Sequence, residues 1–203
     1  MSEDTPLAWL ALKRADTLTA SRWRNGAGST VELFSGPDAE APDWRLSIAR
    51  IAAEAPYSDF AGYARGQVLL AGGPLTLWQD SAILAQLDAP ADRVQFDGAI
   101  ALRARPETPA SVANTFARSG WLLNAWLRPL LGTMMLPAHA QGAWLGQVIG
   151  GQLKVRRKGE SSPWLHREDA FRIDDTARPW AVLEGSGLVL LAQLQRAQVA
   201  PTG

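Results

Sequence analysis

Short runs in which apolar and polar residues alternate dominate this chain. Between Trp44 and Ala49, apolar side chains alternate with Arg45 and Ser47, and this period of two is typical of a half-buried strand. Only residues 5–16 and 127–131 have even a modest helical pattern. The sequence therefore predicts an all-β protein with many short strands. Besides 44–49, strands are predicted at residues 31–34, 67–71, 75–78, 82–87, 100–103, 122–127, 142–149, 152–156, 180–183 and 187–195.

A weak internal repeat predicts that the chain is built in two halves. Residues 69–77 and 147–155 both read as an apolar strand, a Gly-Gly hairpin and a second strand. Such hairpins also recur by chance in β proteins, so duplication is one of two explanations. Residues 105–111 have the Pro-rich composition of a linker. We therefore predict lobes at 1–105 and 119–203, with a linker near 105–118.

Composition narrows the range of partners. Of the 203 residues, 20 are Lys or Arg and 20 are Asp or Glu, so no global field attracts nucleic acid or an anionic membrane. Residues 1–5 lack the basic region of a signal peptide. The most apolar segment, 121–136, is interrupted by Asn124, Arg128 and Pro129, so it falls short of a membrane span. We predict a cytoplasmic protein that binds neither nucleic acid nor membrane.

The residues that usually carry metal or covalent chemistry are few. There is no cysteine, and the two histidines, His139 and His166, are not spaced as a metal-binding pair. The sequence also lacks a Gly-x-Ser-x-Gly nucleophile elbow and a Walker phosphate loop. We therefore expect no metal, no cofactor and no catalytic group of a recognisable kind.

Residues 23–32, Trp-Arg-Asn-Gly-Ala-Gly-Ser-Thr-Val-Glu, carry more functional groups than a surface turn requires. The Asn-Gly pair alone would suffice for a turn, since these residues tolerate positive φ. The added indole, guanidinium, hydroxyls and carboxylate indicate a binding site for a small polar ligand. The candidate ligand-binding residues of this segment are Trp23, Arg24, Asn25, Gly26, Gly28, Ser29, Thr30 and Glu32.

Arginines beside aromatic residues supply a second set of candidates. Arg45 and Ser47 share one strand face, and Arg65 lies further along the chain. A guanidinium on the inner face of a barrel is costly unless it is paired or bound to an anion. Two of them would form a carboxylate pocket through bidentate hydrogen bonds. The alternative is that these arginines lie at the rim and pair with Glu32, Glu54 or Asp59.

Four segments together resemble the HutD/Ves family. Residues 23–32 resemble that family's Trp-Lys/Arg-Asn-Gly-Gly/Ala-Gly-Thr/Ser-Thr-x-Glu signature, and residues 43–49 are similar to its Trp-Arg-Leu/Val-Ser-x-Ala strand. Residues 57–65 and 96–98 resemble its Phe-Ser-x-Phe-x-Gly-x-Asp-Arg and Phe-x-Gly elements. The chain departs from the family where it has Ala64 in place of an acid. In the family's Asp-x-Asn-x-Met segment it keeps Asn124 but lacks the acid.

The resemblance implies a bicupin, that is, two antiparallel β-barrel or jelly-roll lobes in one compact chain, without the metal-binding histidines of catalytic cupins. It also implies a regulatory or binding role for a small carboxylate such as urocanate or formylglutamate, and it adds Asn124 to the candidate site. One alternative is a cupin-type isomerase or hydrolase with Glu32 as general base. Another is an interaction protein whose edge strands form a homodimer or meet a partner.

Overall fold

The computed structural model describes residues 7–138, 141–174 and 180–197, and these residues form an all-β structure. They contain no α-helix, so the all-β prediction is confirmed; a short 3-10 turn covers Ala15–Thr17. No helix in the described ranges is long and apolar enough to cross a membrane. His139 lies outside the described residues. The strands are β1 Leu10–Lys13, β2 Ala20–Arg22, β3 Gly28–Gly36, β4 Trp44–Ile51, β5 Ala55–Pro56, β6 Tyr63–Ala71, β7 Leu75–Gln79, β8 Ala82–Leu87, β9 Arg93–Asp97, β10 Arg103–Pro106, β11 Ala110–Arg118, β12 Trp121–Leu136, β13 Gly142–Arg157, β14 Glu160–Ser161, β15 Leu165–His166, β16 Ala170–Ile173 and β17 Ala181–Arg196.

One compact unit consists mainly of residues 18–126. It contains a six-stranded sheet in the order β2-β3-β4-β11-β6-β9 and a four-stranded sheet in the order β5-β10-β7-β8. Fully buried residues from both sheets, such as Leu69 in β6 and Leu77 in β7, belong to one hydrophobic core. Trp23 and Tyr57 pack against that core while remaining half-buried.

The second compact unit consists of residues 7–17 and 127–196 as far as they are described. Its sheet has the order β1-β16-β13-β17-β12, and the short strands β14 and β15 also pair with β13. The long pairing of β13 with β17 runs from Gly142 opposite Gln195 to Arg156 opposite Val182. Phe171 of β16 is fully buried in this unit.

The strand orders differ from the closed barrels that the sequence predicts. Each sheet is an open series: in the six-stranded sheet, β2 and β9 lie at opposite edges and are not paired in the described structure. A barrel closes only when its first and last strands pair. Three open sheets therefore replace closed barrels among the described residues, and an organisation into two cupin lobes remains a prediction.

The segment predicted as a linker contains a strand instead. β10 ends at Pro106, and β11 spans Ala110–Arg118 within residues 105–118. β11 pairs with both β4 and β6, so it is an interior strand of the six-stranded sheet. The sequence pattern did not predict this strand, because it contains small residues and the buried polar residues Asn114 and Thr115. The two compact units divide instead between Trp126 and Leu127.

The two predicted Gly-Gly hairpins are also absent from the positions assigned to them. Gly72 and Gly73 join β6 to β7, which belong to different sheets. Gly150 and Gly151 lie inside the continuous strand β13. A Cβ atom at Gly151 would lie 2.1 Å from the backbone oxygen of Ser186, so glycine is needed there for close approach of two strands rather than for a turn.

Candidate functional site

A cavity of about 660 Å³ lies within the unit formed by residues 18–126. Its walls come from the turn between β2 and β3, from the strands β3, β4, β6 and β11, and from the segment 56–60. This volume is within the range of pockets that hold small organic ligands. The cavity is therefore the candidate functional site.

The β2–β3 turn forms one wall, and its shape is set by backbone hydrogen bonds. The amide of Trp23 donates to the carbonyl of Gly28 over 3.0 Å, and the amide of Gly26 donates to the carbonyl of Trp23 over 3.0 Å. The side chain of Asn25 accepts from the amide of Ala27 at 3.0 Å, and Gly26 has a φ of +70°. Asn25 and Gly26 thus shape the turn, in agreement with their residue types.

The indole of Trp23 is held in a fixed position. Its Nε1 donates to Oγ1 of Thr30 at 2.8 Å. A Cβ atom at Gly28 would lie 2.3 Å from the backbone oxygen of Arg50 and 3.0 Å from the indole ring. Gly28 is therefore required because the strand and the indole approach closely at this point.

The strand register places two rows of side chains across the sheet. Phe116 of β11 lies opposite Arg45 of β4 on one side and opposite Arg65 of β6 on the other. Two residues along each strand, Asn114 lies opposite both Ser47 and Gln67. Because side chains two positions apart point to the same face of a sheet, both rows face the cavity.

The arginine row is stacked on aromatic rings. The guanidinium carbons of Arg45 and Arg65 lie 4.3 and 4.7 Å from the centre of the Phe116 ring, and each lies 5.2 Å from the centre of Phe60. That of Arg65 also lies 4.9 Å from the Tyr57 ring. Cation–π contacts of this kind stabilise a cation but neutralise none of its charge.

Neither cation forms an ion pair with an acidic residue in the part of the chain that the structure describes. The Nε atom of each is buried without a hydrogen-bond partner among the same residues. Arg65 is 6% exposed, and its Nη1 lies 3.5 Å from the carbonyl of Ser58. Burial lowers the pKa of Arg45, with Glu32 and Tyr63 acting in the opposite direction. Burial also lowers the pKa of Arg65, to about 10.

The second row is a buried polar network that is only partly satisfied. Nε2 of Gln67 donates to the hydroxyl of Tyr57 at 2.8 Å and to Oδ1 of Asn114 at 2.7 Å. Oε1 of Gln67 and Oγ of Ser47 are buried and have no hydrogen-bond partner within the described ranges. Burial raises the pKa of Tyr57 to about 12, although Gln67 and Arg65 oppose this shift. Unpaired buried polar atoms are costly, so this row can offer hydrogen bonds to a bound molecule.

The structure brings seven of the predicted ligand-binding residues to the cavity lining and leaves five out. The seven are Trp23, Arg24, Asn25, Thr30, Arg45, Ser47 and Arg65. Gly26, Gly28 and Ser29 belong to the hairpin but do not line the cavity. Glu32 is exposed on β3, where its Oε1 accepts from Oγ of Ser35 at 2.7 Å.

Asn124, which the family resemblance adds to the predicted ligand-binding residues, does not line this cavity. Its Oδ1 accepts from Nε2 of Gln95 at 2.6 Å, in a separate cavity of about 470 Å³. That second cavity is also lined by Gly66 and Thr115, each one position from a residue of the arginine row. A shift of one position along a strand changes the face of the sheet, so Asn124 is associated with the opposite face.

Sequence reasoning missed several residues that line the cavity, namely Tyr57, Phe60, Gln67, Asn114 and Phe116. Tyr57 and Phe60 lie in the segment 57–65 that carries part of the family resemblance. Asn114 and Phe116 could have been found from their spacing of two only if residues 110–118 had been recognised as a strand. Across the described ranges, no group of three or more His, Asp or Glu side chains is placed to hold a metal ion.

Comparisons with known proteins connect this geometry to a family. The model of the HutD family matches residues 15–190. An uncharacterised 21.2 kDa protein in the hutC 3' region of Pseudomonas putida is 36% identical over 94 residues, which are 45% of this chain and 49% of that protein. The chain thus spans about half the length of that curated relative.

Solved structures agree with this result. HutD from Pseudomonas fluorescens SBW25, described for a formate condition, is similar with a TM-score of 0.73 and 26% identity over 93% of this chain and 100% of that chain. The conserved protein PA5104 of unknown function from Pseudomonas aeruginosa PAO1 has a TM-score of 0.81 and 22% identity over 92% and 98% of the two chains. A cupin 2 conserved barrel domain protein from Leptotrichia buccalis, at a TM-score of 0.56, 8% identity and 96% and 100% coverage, shows that the fold is cupin-like.

Proposed function

The chain belongs to the HutD family, and from this premise we propose that the cavity of residues 18–126 binds a small organic acid. The protein would act in histidine utilisation as a binding component, with a regulatory role and without a metal or a reaction of its own. Two cupin lobes and a cytoplasmic location are part of this proposal.

One observation carries the proposal: Arg45 and Arg65 face a cavity whose described lining contains no acidic residue, and neither forms an ion pair with a described residue. A buried charge that lacks a counterion costs several kcal/mol of folding free energy. A carboxylate supplies the missing charge and accepts bidentate hydrogen bonds from a guanidinium. A bound carboxylate would therefore supply the negative charge that the lining residues do not provide.

The rest of the cavity supports a small ligand with an apolar or flat body. Trp23 is fixed by its hydrogen bond to Thr30, and the ring of Phe60 lines the same cavity. Ser47 and Gln67 line the same cavity, and among the described residues Oγ of Ser47 and Oε1 of Gln67 have no hydrogen-bond partner. Charge at one end, rings along the walls and a few polar atoms are typical of pockets for small organic molecules.

The histidine-utilisation context rests on the relatives. The matching protein of P. putida is named for its place in the hutC 3' region, and one similar structure is HutD of P. fluorescens. Urocanate and formylglutamate, which the family resemblance implies, are therefore the first ligands to test. Formate, the condition named for the P. fluorescens structure, is the smallest carboxylate and completes the set.

The enzyme alternative, with Glu32 as general base, has no contact that favours it. Glu32 is exposed and does not line the cavity, whereas a general base must lie within hydrogen-bond reach of the substrate. Turnover of an added acid that is lost in Glu32→Gln would favour the enzyme over the binding protein. A homodimer is a further prediction, and analytical ultracentrifugation tests it.

Isothermal titration of formate, acetate, urocanate and formylglutamate tests the proposal. We expect at least one acid to bind, and Arg45→Met and Arg65→Met to abolish that binding. Arg50→Met is the matched control, because Arg50 is exposed on β4 and does not line the cavity; it should bind normally. The absence of binding by every acid at millimolar concentration would refute the proposal.

A further inference from the structure

The second cavity, of about 470 Å³, has no role in the proposed function. Its described lining residues fall between Gly66 and Trp126, so it belongs to the same compact unit as the first cavity, which contains Arg45 and Arg65. Its volume is also within the range of pockets that hold small organic ligands. One compact unit therefore carries two cavities, and the second one needs an explanation of its own.

A row of residues across three strands forms the floor of the second cavity. Thr115 of β11 lies opposite Gly66 of β6, which in turn lies opposite Gln95 of β9. This row is one position away from the arginine row, so its side chains point to the other face of the sheet. A Cβ atom at Gly66 would lie 2.5 Å from Oγ1 of Thr115. Because the middle residue of the row has no side chain, space remains above the sheet for a bound molecule.

Two amide side chains meet at this cavity. Nε2 of Gln95 donates to Oδ1 of Asn124 at 2.6 Å. A primary amide carries an acceptor oxygen and a donor nitrogen, so this bond leaves Oε1 of Gln95 as an acceptor and Nδ2 of Asn124 as a donor. The opposite orientation of both amides would also leave one donor and one acceptor. Asn and Gln side chains bind the edge of a nucleobase through the same combination of groups.

Trp126 and Arg93 add a ring and a positive charge beside the amide pair. Trp126 is two positions from Asn124 on β12, and Arg93 is two positions from Gln95 on β9, so each shares a strand face with one of the amides. The guanidinium carbon of Arg93 lies 5.6 Å from the centre of the Trp126 ring. Within the described ranges, Arg93 forms no ion pair and no acidic residue lines this cavity. A flat group can therefore stack on the half-buried indole while an anionic group binds the guanidinium.

We propose that the second cavity binds a nucleoside monophosphate. The base stacks on Trp126 and presents its edge to Gln95 and Asn124, and the phosphate binds Arg93. The two positions between Gln95 and Arg93 correspond to about 7 Å along β9, which leaves room for the sugar between base and phosphate. This site is separate from the one proposed for an organic acid, and neither proposal depends on the other.

Isothermal titration with AMP, GMP, CMP and UMP tests the proposal. We expect at least one of them to bind below millimolar concentration. Its nucleoside and ribose 5-phosphate should each bind about tenfold or more weakly, because each lacks one of the two groups that the cavity contacts. The absence of binding by all four nucleotides, or equally tight binding of the nucleoside or of ribose 5-phosphate, would overturn the proposal.

Variants of the lining residues test the role of each group. Arg93→Gln should weaken nucleotide binding about tenfold and leave the affinity for the nucleoside unchanged, because only the phosphate contact is lost. Trp126→Leu should weaken the binding of both about tenfold, and Trp126→Phe, which keeps an aromatic ring, should retain most of the affinity. Circular dichroism confirms that each variant is folded. Unchanged nucleotide binding by Arg93→Gln and Trp126→Leu would contradict the assignment.

Two further variants separate this cavity from the first one. Arg50→Gln is the matched control for the loss of an exposed arginine, because Arg50 lines neither cavity; it should bind the nucleotide normally. Arg45→Met should also bind it normally, since Arg45 lines only the first cavity. Loss of nucleotide binding in Arg45→Met, with normal binding by Arg93→Gln, would place the nucleotide in the first cavity and refute the proposal.

Discussion

Replacing Arg65 with Met is expected to make the ligand-free protein more stable and, at the same time, unable to bind carboxylates. Arg65 is 6% exposed, and its Nε has no hydrogen-bond partner in the part of the chain that the structure describes. Methionine has no charge, has a similar length and packs well against aromatic rings. Replacing buried charged groups by apolar ones is often stabilising by about 1–4 kcal/mol.

The magnitude follows from the environment of the guanidinium. Burial lowers the pKa of Arg65 well below the ordinary value of an arginine, to about 10, and at about 1.4 kcal/mol for each pKa unit the folded state disfavours the cation by about 3 kcal/mol. Contacts with the rings of Tyr57, Phe60, Phe96 and Phe116 offset part of this cost, and because one guanidinium is shared among four rings we take the lower end of the range, about 0.5 kcal/mol each. We therefore expect a net gain of about 1 kcal/mol in the free energy of unfolding.

The pH dependence of this gain has a defined sign. The folded-state pKa of Arg65 is lowered to about 10, so between about pH 10 and the ordinary pKa of an arginine the unfolded chain holds more protons than the folded one, and stability rises with pH there. The penalty carried by the unaltered protein is full below about pH 10 and disappears through that window. The advantage of Arg65→Met should therefore be constant at neutral pH and shrink above pH 10.

Urea unfolding at neutral pH measures the free energy, and isothermal titration measures binding. The control is Arg50→Met, because Arg50 is exposed; its stability should change by less than about 0.5 kcal/mol. If Arg65→Met is instead less stable than the unaltered protein while the control is unchanged, the guanidinium stabilises the ligand-free fold. The conclusion that it needs a ligand anion would then be refuted.

Three other predictions test separate parts of the site. Burial raises the pKa of Tyr57 to about 12, and the variant Tyr63→Phe leaves Tyr57 as the only tyrosine in the sequence. The phenol absorbance of this variant should therefore titrate near pH 12 in the folded protein and near pH 10 in denaturant. A titration step at pH 10 in the folded protein would contradict the burial of Tyr57. Gly28→Ala places a Cβ atom 2.3 Å from a backbone oxygen, whereas Gly26→Ala meets no atom within 4 Å but keeps a φ of +70°. We expect thermal unfolding to show a loss of about 2–3 kcal/mol for Gly28→Ala and about 1 kcal/mol for Gly26→Ala, and the reverse order would show that the hairpin adjusts easily. Asn124→Ala should leave carboxylate affinity unchanged, because Asn124 lies in a different cavity; a loss of binding in titration would return it to the site.

Local patterns in the sequence determined several of the strands and the turn before β3. Alternation between Trp44 and Ala49 correctly predicted β4, and the residue types of Asn25 and Gly26 correctly predicted the turn before β3. These features depend only on neighbours along the chain, since the period of two and the tolerance of positive φ are local properties. The same patterns identified Arg45 and Ser47 as residues of one strand face, and both line the cavity.

Only the tertiary structure decided which residues meet. The row of Arg45, Phe116 and Arg65 exists because β11 lies between β4 and β6 with one particular register. A register shifted by one position would turn Phe116 to the opposite face, and Asn124 is associated with that face. Such pairing joins residues far apart in the chain and is set by packing of the whole sheet, so no spacing within a single segment reveals it.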